Sequence, residues 1–407
     1  MPERKKKLKI LIISYTFPPN PAIGGKRWAK FAKYLKKQNN DVYILTKKEI
    51  NSNPIENYYY FNNKYPIALT TVPANFYEKI KYHLSKLYLN IRVKGTIYDS
   101  SVFLEKTITS KTIKIIKDKN IDTVIVTGAP FRLLYFISKI IPDFPNINFI
   151  ADFRDPWTWG KGYGLSIISE KRKNHEKWME SLVLEKYNFI TVPVVSMATH
   201  LKKQYPENSN KVILLPHGYD PDDIPPTHSK TQNKIPKIIY GGTLYDEQKY
   251  SYDEFCNFLN KNTNIANFYF YTNTSHWANY INNKVKHNNN MYFSKQLNNK
   301  MFLTKVAESD FFIAFYPDKF KNHFSTKFSE IIATKTPIIF VGSKGYISNF
   351  LIKNKLGYHI QPQNIKTDLE KIITSKLSTE MDFNSIYLSK FNISNITKSF
   401  VKLIKRK

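Results

Sequence analysis

Short apolar runs recur along the chain, and each gives way to a turn-rich stretch and then to apolar residues at helical spacing. Leu8–Ser14 is such a run, and Asp41–Leu45 is the next. Between them the helical spacing is carried by Trp28, Phe31, Ala32 and Leu35. Strand, glycine-containing loop, helix and strand in this order are typical of the opening of a doubly wound parallel sheet.

The same alternation continues to about residue 341. Further strands are predicted at Asp122–Thr127, Ile147–Ala151, Phe189–Val194, Lys211–Leu215, Lys237–Tyr240, Asn267–Tyr271, Met291–Ser294, Asp310–Phe315 and Ile338–Val341. A Pro-rich stretch, Asp220–Pro226, interrupts the series and predicts a domain boundary. The sequence therefore predicts an α/β protein of two Rossmann-like doubly wound domains, residues 1–220 and 221–385, followed by a terminal segment, 386–407.

Two adjacent glycines, Gly24 and Gly25, lie in the loop before the first predicted helix, and Arg27 follows them. Glycine lets the backbone approach a ligand closely, and a helix start favours an anion. The spacing is not that of the dinucleotide-binding glycine motif. The loop therefore indicates a phosphate contact without a dinucleotide cofactor.

A second candidate anion site is the segment Ser325–Phe340. Ser325 and Thr326 are helix-starting residues, and Glu330 falls about one turn further on. Free N–H groups beside a carboxylate would suit the phosphate and the diol of a nucleotide-sugar. The alternative is an amphipathic helix whose Glu330 is simply solvated.

A polar cluster, Arg154 and Asp155 with Pro156 and Trp157, follows the strand that ends at Ala151. Ligands of doubly wound sheets bind at the carboxyl ends of the strands, where this cluster falls. Arg154 and Asp155 could bind sugar hydroxyls over a Trp157 ring. Equally, they could form an ion pair with Trp157 anchored in the core.

These segments together resemble the GT-B glycosyltransferases, especially the retaining family four, and the Arg154–Trp157 run resembles that of bacterial surface-polysaccharide enzymes. The resemblance implies that Glu330 holds the nucleotide ribose and that Gly24, Gly25 and Arg27 meet the donor diphosphate. It implies further donor contacts, and a last segment, 386–407, that crosses back as a helix to the first domain. The further contacts are Gly242 and Thr243, Gln296 and Leu297 at the nucleobase, the N–H groups of Ser325 and Thr326, and the side chains of Lys249 and Lys327.

The chain departs from the family pattern at two positions. Asn322 stands where the family usually has a second glutamate, and Thr243 stands where it has an arginine that faces the diphosphate. Both departures remove a charge that the family uses. Two other classes of function stay open: a catalytically inactive GT-B scaffold, which would explain these departures, and a basic nucleic-acid-binding protein, which would explain the net charge of +30.

Apolar residues at Ile80, Leu84, Leu87, Tyr88 and Ile91 mark one face of a predicted helix. Lys79, Lys81, Lys86 and Arg92 lie elsewhere around it. A basic amphipathic helix can lie on a membrane or bind a lipid-linked acceptor. It can also be an ordinary surface helix with its apolar face packed inward.

Composition narrows the class of protein. The net charge is +30, which favours an anionic partner or reflects only lysines dispersed over the chain. Neither zinc-finger spacing nor an RNA-binding aromatic signature is present, so a membrane surface is the favoured partner. One cysteine, Cys256, fits a reducing compartment. The basic start, Met1–Lys7, precedes an apolar run too short for a signal peptide, and no run approaches the roughly 20 residues of a membrane span.

The resulting expectation is a cytoplasmic glycosyltransferase, retaining by resemblance, that is peripheral on the inner face of the cell membrane. It would need neither metal nor cofactor, since no metal-ligand spacing is seen and no Asp-X-Asp motif stands where a metal-dependent enzyme would need one. Arg154, Asp155, Lys249 and Lys327 are the candidate catalytic residues. The expected partners are a nucleotide-sugar donor, a glycan or polyprenyl-linked acceptor and an anionic membrane surface, with no nucleic acid.

Overall fold

The structure is a computed structural model that describes residues 7–20, 23–49, 55–160, 164–226, 235–273, 275–286, 288–322, 324–375, 381–383 and 386–405. The basic start before Lys7, Pro21 and Ala22 of the first glycine loop, and the last two residues lie outside these ranges. The chain divides into two compact units. One comprises Met1–Pro216 with Thr397–Lys407, and the other is His217–Ile396.

The first unit alternates strands and helices. Its elements are β1 (Lys9–Ser14), α1 (Ile23–Lys37), β2 (Asp41–Lys47), β3 (Tyr58–Phe61), α2 (Phe76–Arg92), α3 (Glu105–Lys119), β4 (Thr123–Gly128), α4 (Arg132–Ser138), β5 (Asn148–Phe153), α5 (Glu170–Lys186), β6 (Phe189–Val192), α6 (Val195–Gln204) and β7 (Val212–Leu214). Within the described residues the sheet has the order β3-β2-β1-β4-β5-β6-β7, and every pairing is parallel. The order reverses between β1 and β4, so a crevice is expected at the carboxyl ends of these two strands.

Apolar side chains on both faces explain why these strands are central. Leu11 and Ile13 of β1 join one buried cluster with residues of α3, α4 and α5. On α1, Trp28 and Phe31 are fully buried, as their spacing predicts. Phe400 packs against Trp28, with ring centroids 5.8 Å apart. A strand buried on both faces reads as a continuous apolar run, which is why β1, β4 and β5 were recognisable.

The second unit repeats the alternation. Its elements are β8 (Lys237–Gly241), α7 (Lys249–Lys261), β9 (Asn267–Thr272), α8 (His276–Lys284), β10 (Met291–Lys295), α9 (Asn299–Ala307), β11 (Phe311–Phe315), α10 (Thr326–Ala333), β12 (Ile338–Val341), α11 (Tyr346–Lys353), β13 (Gly357–Ile360), α12 (Glu370–Thr374) and α13 (Ile386–Phe391), and α14 (Ile393–Ile404) leads back into the first unit. Among the described residues the parallel sheet runs β10-β9-β8-β11-β12-β13. Here the order reverses between β8 and β11.

The second sheet is also covered on both faces. Ile339 and Val341 of β12 enter one buried cluster, and Ile338 and Phe340 enter the other. Alternate side chains of one strand therefore reach opposite faces, as strand geometry requires. The predicted fold class, α/β with two doubly wound parallel sheets, is confirmed.

Several predicted details are wrong. The sequence pattern did not predict strands β3 and β13 or helix α11. Gly24 and Gly25 lie inside the first turn of α1 rather than before it.

A search of the described residues finds no helix both long enough and apolar enough to cross a membrane.

Candidate functional site

The loop after β8 and the start of α10 meet at the carboxyl edge of the second sheet. Lys327, in the first turn of α10, donates from Nζ to the carbonyl oxygen of Gly241 at 2.6 Å. Gly242 has φ of +135°, a conformation that side chains rarely adopt, and a Cβ there would lie 2.1 Å from Lys327 Nζ. The glycine thus leaves room for the ammonium group at the point where the strand order reverses.

Two opposing influences set the pKa of Lys327. Its side chain is accessible to solvent, yet dense surrounding protein disfavours the ammonium form and lowers the pKa to about 8, while the Glu330 carboxylate acts in the opposite direction. The group is therefore mostly protonated at neutral pH. An anion bound beside it would stabilise the protonated form further.

Helix α10 begins as the sequence predicted, with Ser325 as the N-cap and Thr326 as the first helical residue. Ser325 does not cap with its own side chain, and it shares a hydrogen bond with the Tyr316 hydroxyl. Glu330 lies in the second turn and is 9% exposed. Burial raises the pKa of Tyr316 to about 12, so it stays a neutral hydrogen-bonding group beside the helix start.

A pocket of about 430 Å³ opens along the same edge, at the ends of β9 and β10. It is lined by Thr272, Asn273, Lys295, Gln296, Leu297 and Asn298. The Thr272 hydroxyl donates to the Gly242 carbonyl at 2.7 Å, which joins the pocket to the loop after β8. The predicted nucleobase residues Gln296 and Leu297 therefore belong to the same sheet edge as Gly242.

Thr272 and Asn273 were not among the predicted site residues. Their signal was available, because they follow directly on a predicted strand in a sheet whose ligands bind at the carboxyl ends. Thr243 lies in the same loop with an exposed side chain, and its carbonyl accepts a hydrogen bond from the Tyr240 hydroxyl at 2.8 Å. No cation stands at that position, in contrast to the family pattern that the sequence resembles.

Lys249 lies in a different environment from Lys327. Its Nζ pairs with Asp253 at 2.7 Å, and Asp253 also pairs with Lys284 at 2.8 Å. The two lysines hold the pKa of the Asp253 carboxyl well below its usual range. The structure thus places Lys249 in a surface ion-pair cluster, and its predicted part in catalysis gains no geometric support.

The Asn322 side chain also takes part in a hydrogen bond within the second unit. Its side-chain oxygen accepts a hydrogen bond from the backbone N–H of Tyr346 at 2.9 Å, at the start of α11. The residue that replaces the family's glutamate therefore supports a neighbouring helix.

In the first unit, Arg154 lies against the start of α1. A Cβ on Gly24 would fall 2.3 Å from Arg154 Nη1 and 3.1 Å from Thr16 Oγ1, so only glycine leaves this space to the guanidinium group. Arg154 also donates to the Ala129 carbonyl at 3.2 Å and pairs with Asp155 at 3.1 Å. The structure brings Gly24 and Arg154 together at the reversal between β1 and β4.

Gly25 serves packing. A Cβ at this position would lie 2.4 Å from the Thr16 carbonyl oxygen, so α1 could not approach the loop after β1 with a larger residue there. The N–H of Gly25 remains a predicted contact of the diphosphate of the sugar donor.

The prediction that Arg27 contacts the donor diphosphate is wrong. Its side chain is 3% exposed, pairs with the buried Asp152 at 3.3 Å and donates to the Leu215 carbonyl at 2.6 Å. The guanidinium group is therefore taken up by internal acceptors and is not available to a donor diphosphate.

Trp157 decides between the two alternatives that the sequence left open. The ring is 1% exposed, stacks on Phe131 with centroids 5.1 Å apart, and donates from Nε1 to Glu176 at 2.7 Å. Glu176 also pairs with Arg132, although burial still raises the pKa of the carboxyl. Trp157 is thus a core anchor, and it offers no platform to a sugar.

Within the described part of the chain no group of three or more His, Cys, Asp or Glu side chains is arranged to hold a metal ion. Independence from metal remains a prediction.

Comparison with known proteins supplies structural relatives alone. No protein-family model and no curated protein sequence matches the chain. Among solved structures, sucrose-phosphate synthase from Thermosynechococcus elongatus superposes with a TM-score of 0.66 at 12% identity, covering 98% of this chain and 99% of the other. A glycosyltransferase from Rickettsia africae gives 0.62 at 14% identity, covering 98% of each chain.

A third similar structure is UDP-GlcNAc 2-epimerase from Neisseria meningitidis bound to UDP-GlcNAc, with a TM-score of 0.56, 12% identity, and coverage of 98% of this chain and 100% of the other. Identities this low establish architecture and leave the reaction open. The chain has the GT-B fold, the architecture shared by these structures.

Proposed function

We propose that the protein transfers a sugar from a nucleotide-diphosphate sugar to a hydroxyl of a glycan or lipid-linked acceptor in surface-polysaccharide synthesis. One observation carries the proposal. A lysine ammonium, a glycine loop and a pocket able to take a nucleobase share the carboxyl edge of the second sheet. Diphosphate and base are the two parts of a donor that such groups would recognise.

The chemistry requires stabilisation of the leaving diphosphate while the anomeric carbon becomes cationic. Lys327 would supply a positive charge beside that diphosphate, and the N–H groups of Ser325 and Thr326 would donate hydrogen bonds to it. Glu330 would accept hydrogen bonds from the ribose. Retention of configuration and independence from metal belong to the proposal. In that scheme the leaving phosphate takes the acceptor proton.

The first unit supplies the remaining assignments. Arg154 is held by the Ala129 carbonyl and by Asp155, and its guanidinium group lies beside Gly24. We assign Arg154 and Asp155 to the hydroxyls of the transferred or accepting sugar. The N–H groups of Gly24 and Gly25 stay proposed contacts of the donor diphosphate.

A second candidate function is donor binding without transfer. It is favoured by Asn322, whose side chain is bonded to Tyr346, and by Thr243, which brings no positive charge. The fold leaves a further reaction open, since a structurally similar protein is a UDP-GlcNAc 2-epimerase. The products of the reaction, rather than donor affinity, distinguish transfer, binding without transfer and epimerisation.

The test begins with thermal shifts of the intact protein in UDP-, GDP- and dTDP-sugars, because a bound donor stabilises the folded state. The stabilising donor is then incubated with polyprenyl-linked and glycan acceptors, and the products are separated. A glycosylated acceptor supports the proposal. Free epimerised donor would replace transfer by epimerisation, and binding without turnover would leave the inactive scaffold.

The ribose assignment has its own test. Glu330→Ala should weaken donor binding roughly 10- to 100-fold, the effect of losing charged hydrogen bonds. Glu308→Ala is the matched control, because Glu308 is exposed at the end of α9 and pairs with Lys305. Equal affinities of the two variants in calorimetric titration would remove Glu330 from the site.

A further inference from the structure

Helix α2 presents its apolar face to solvent. Leu84 is 62% exposed and Ile91 is 75% exposed. The exposed apolar side chains of the helix are Phe76, Tyr77, Ile80, Leu84, Leu87, Tyr88 and Ile91. At about 100° per residue they fall within an arc of about 120°. A surface helix ordinarily turns such a face toward the core, so this orientation is the reverse of the expected one.

The opposite face attaches the helix to its unit. Leu89 is buried in a small cluster with Tyr65, Val93 and Ile97. Arg172 holds the carboxyl end of the helix by donating to the carbonyls of Asn90 at 2.6 Å and Val93 at 2.9 Å. The helix is therefore already packed against its unit through the opposite face, and its exposed apolar face is not needed for that packing.

Positive charge borders the exposed face. Lys81 and Arg92 follow it along one edge, and Lys79 and Lys86 lie beyond the other. Lys81 Nζ lies 4.3 Å from the centroid of the Tyr77 ring. Glu78, the acidic residue of α2, accepts hydrogen bonds at the helix start from Ala74 N–H at 2.8 Å and from the Asn75 amide at 3.1 Å.

Ile67 and Val72, just before α2, are 80% and 91% exposed. They enlarge the apolar surface at the amino-terminal end of the helix. We define the α2 face as the seven exposed apolar residues of the helix with the four bordering cations.

We propose that the α2 face docks the protein onto an anionic lipid bilayer. Charge complementarity selects this occupant. An apolar stripe between cations matches the boundary between acyl chains and anionic headgroups, where a helix of this kind lies in the membrane plane. A second copy of the chain would bring the same cations to the same edges, and two molecules of net charge +30 repel one another. The docking does not depend on the donor chemistry proposed above.

Vesicle co-sedimentation of the full chain tests the docking at about 0.15 M salt. The probes are vesicles of phosphatidylcholine alone and vesicles that also contain phosphatidylglycerol. Binding is expected to the anionic vesicles. Replacing Lys79, Lys81, Lys86 and Arg92 by Gln should weaken it roughly 1,000-fold. Leu84→Ser, Leu87→Ser and Ile91→Ser together should weaken it at least about tenfold.

Matched controls separate the α2 face from general charge. Lys106, Lys111, Lys114 and Lys117 are exposed on α3, whose apolar side chains Ile108, Ile115 and Ile116 are buried. Their replacement by Gln changes the charge equally and should reduce binding by less than about threefold. Val195→Ser, Leu214→Ser and Ile352→Ser, at exposed apolar positions elsewhere, should leave it unchanged.

The outcomes decide the proposal. Equal losses in the α2 and α3 charge variants would mean general electrostatic attraction and would overturn it, as would the absence of binding to anionic vesicles. Light scattering that shows a dimer broken by the three Ser substitutions, with no vesicle binding, would assign the face to self-association. Because the substituted side chains are exposed, unchanged melting temperatures are expected. Should the triple variant unfold, Leu84→Ser alone supplies the same comparison.

Discussion

At the scale of single residues, the charge of Lys327 is the feature of the candidate site that pH can change. Its pKa of about 8 comes from surrounding protein that disfavours the ammonium form. A diphosphate binds the protonated form. The free energy of binding therefore depends on the proton that this lysine holds.

Donor affinity is expected to fall as pH rises through about 8. Below that pH the free protein already carries the ammonium group, whereas above it a proton must be taken up on binding, so the affinity falls up to about tenfold per pH unit. Titration calorimetry of a nucleotide-sugar from about pH 7 to 9 measures this slope. Lys327→Arg keeps its charge throughout and should flatten the profile. A slope that persists in Lys327→Met would assign the titration to another group.

Gly242→Ala should disturb both stability and donor binding. The φ of +135° is strained for alanine, which costs about 1–3 kcal/mol, and the new Cβ would displace Lys327 Nζ from the Gly241 carbonyl. Urea unfolding and donor titration measure the two effects. Thr243→Ala, one residue further along, alters an exposed side chain and serves as the control. A variant as stable as the control would contradict the conformational argument.

At the scale of secondary-structure elements, one buried carboxylate joins helix α1 to the sheet. Asp152, at the end of β5, accepts hydrogen bonds from Trp28 Nε1 at 2.8 Å, Thr127 Oγ1 at 3.0 Å and Thr191 Oγ1 at 2.8 Å. It also pairs with Arg27 at 3.3 Å. Strands β4, β5 and β6 and the helix that carries Gly24 and Gly25 therefore share one polar centre.

Asp152→Asn is expected to lower the free energy of unfolding of the first unit by about 2–4 kcal/mol, because Arg27 would keep a buried charge without its partner. Asp118→Asn, which breaks the exposed Lys114–Asp118 pair, should change it by less than about 0.5 kcal/mol. Urea denaturation followed by circular dichroism compares the two. A double variant, Arg27→Met with Asp152→Asn, should recover part of the loss if the isolated charge is its cause.

The same elements show how far sequence reasoning reaches. Strands β1, β4 and β12 are buried on both faces, so their apolar runs identified them. Strand β3, Tyr58–Phe61, lies at the sheet edge among polar residues, and its short aromatic run gives no clear period. The α2 stripe predicted a helix face correctly, yet the same pattern fits a packed face and an exposed one. Tertiary contacts decide between the two.

Only part of the candidate site could be predicted from the sequence, for a similar physical reason. Lys327 and Gly242 follow strands or begin a helix, and the topology of a doubly wound sheet brings such positions to one edge. Arg27 and Trp157 satisfy the same rule, but their side chains turn inward to Asp152 and Glu176. Sequence position places a residue at an edge, and packing of its neighbours sets the direction of its side chain.

At the scale of the whole molecule, each of the two sheets has its own buried apolar residues. A ligand bound at the second sheet is therefore expected to stabilise the second unit most directly. Amide hydrogen exchange of the intact chain with a saturating nucleotide-sugar tests this. Slower exchange is expected at residues 241–245, 295–298 and 325–331, because binding adds its free energy to every opening that exposes them. At a donor concentration 100 times Kd the gain is about 2.7 kcal/mol, or roughly 100-fold in exchange rate.

Helix α3, which carries buried apolar side chains and none of the residues assigned to donor or acceptor, serves as the internal reference for the first unit. Glu330→Ala should reduce the protection of the three second-unit segments in proportion to its lost affinity, whereas Glu308→Ala should not. Protection that appears only in the first sheet would place the donor there and contradict the assignment of Lys327, Gly242 and the pocket at Gln296. The +30 charge alone cannot imitate the expected pattern, because a dispersed attraction would slow exchange at exposed lysine-rich surfaces of both units.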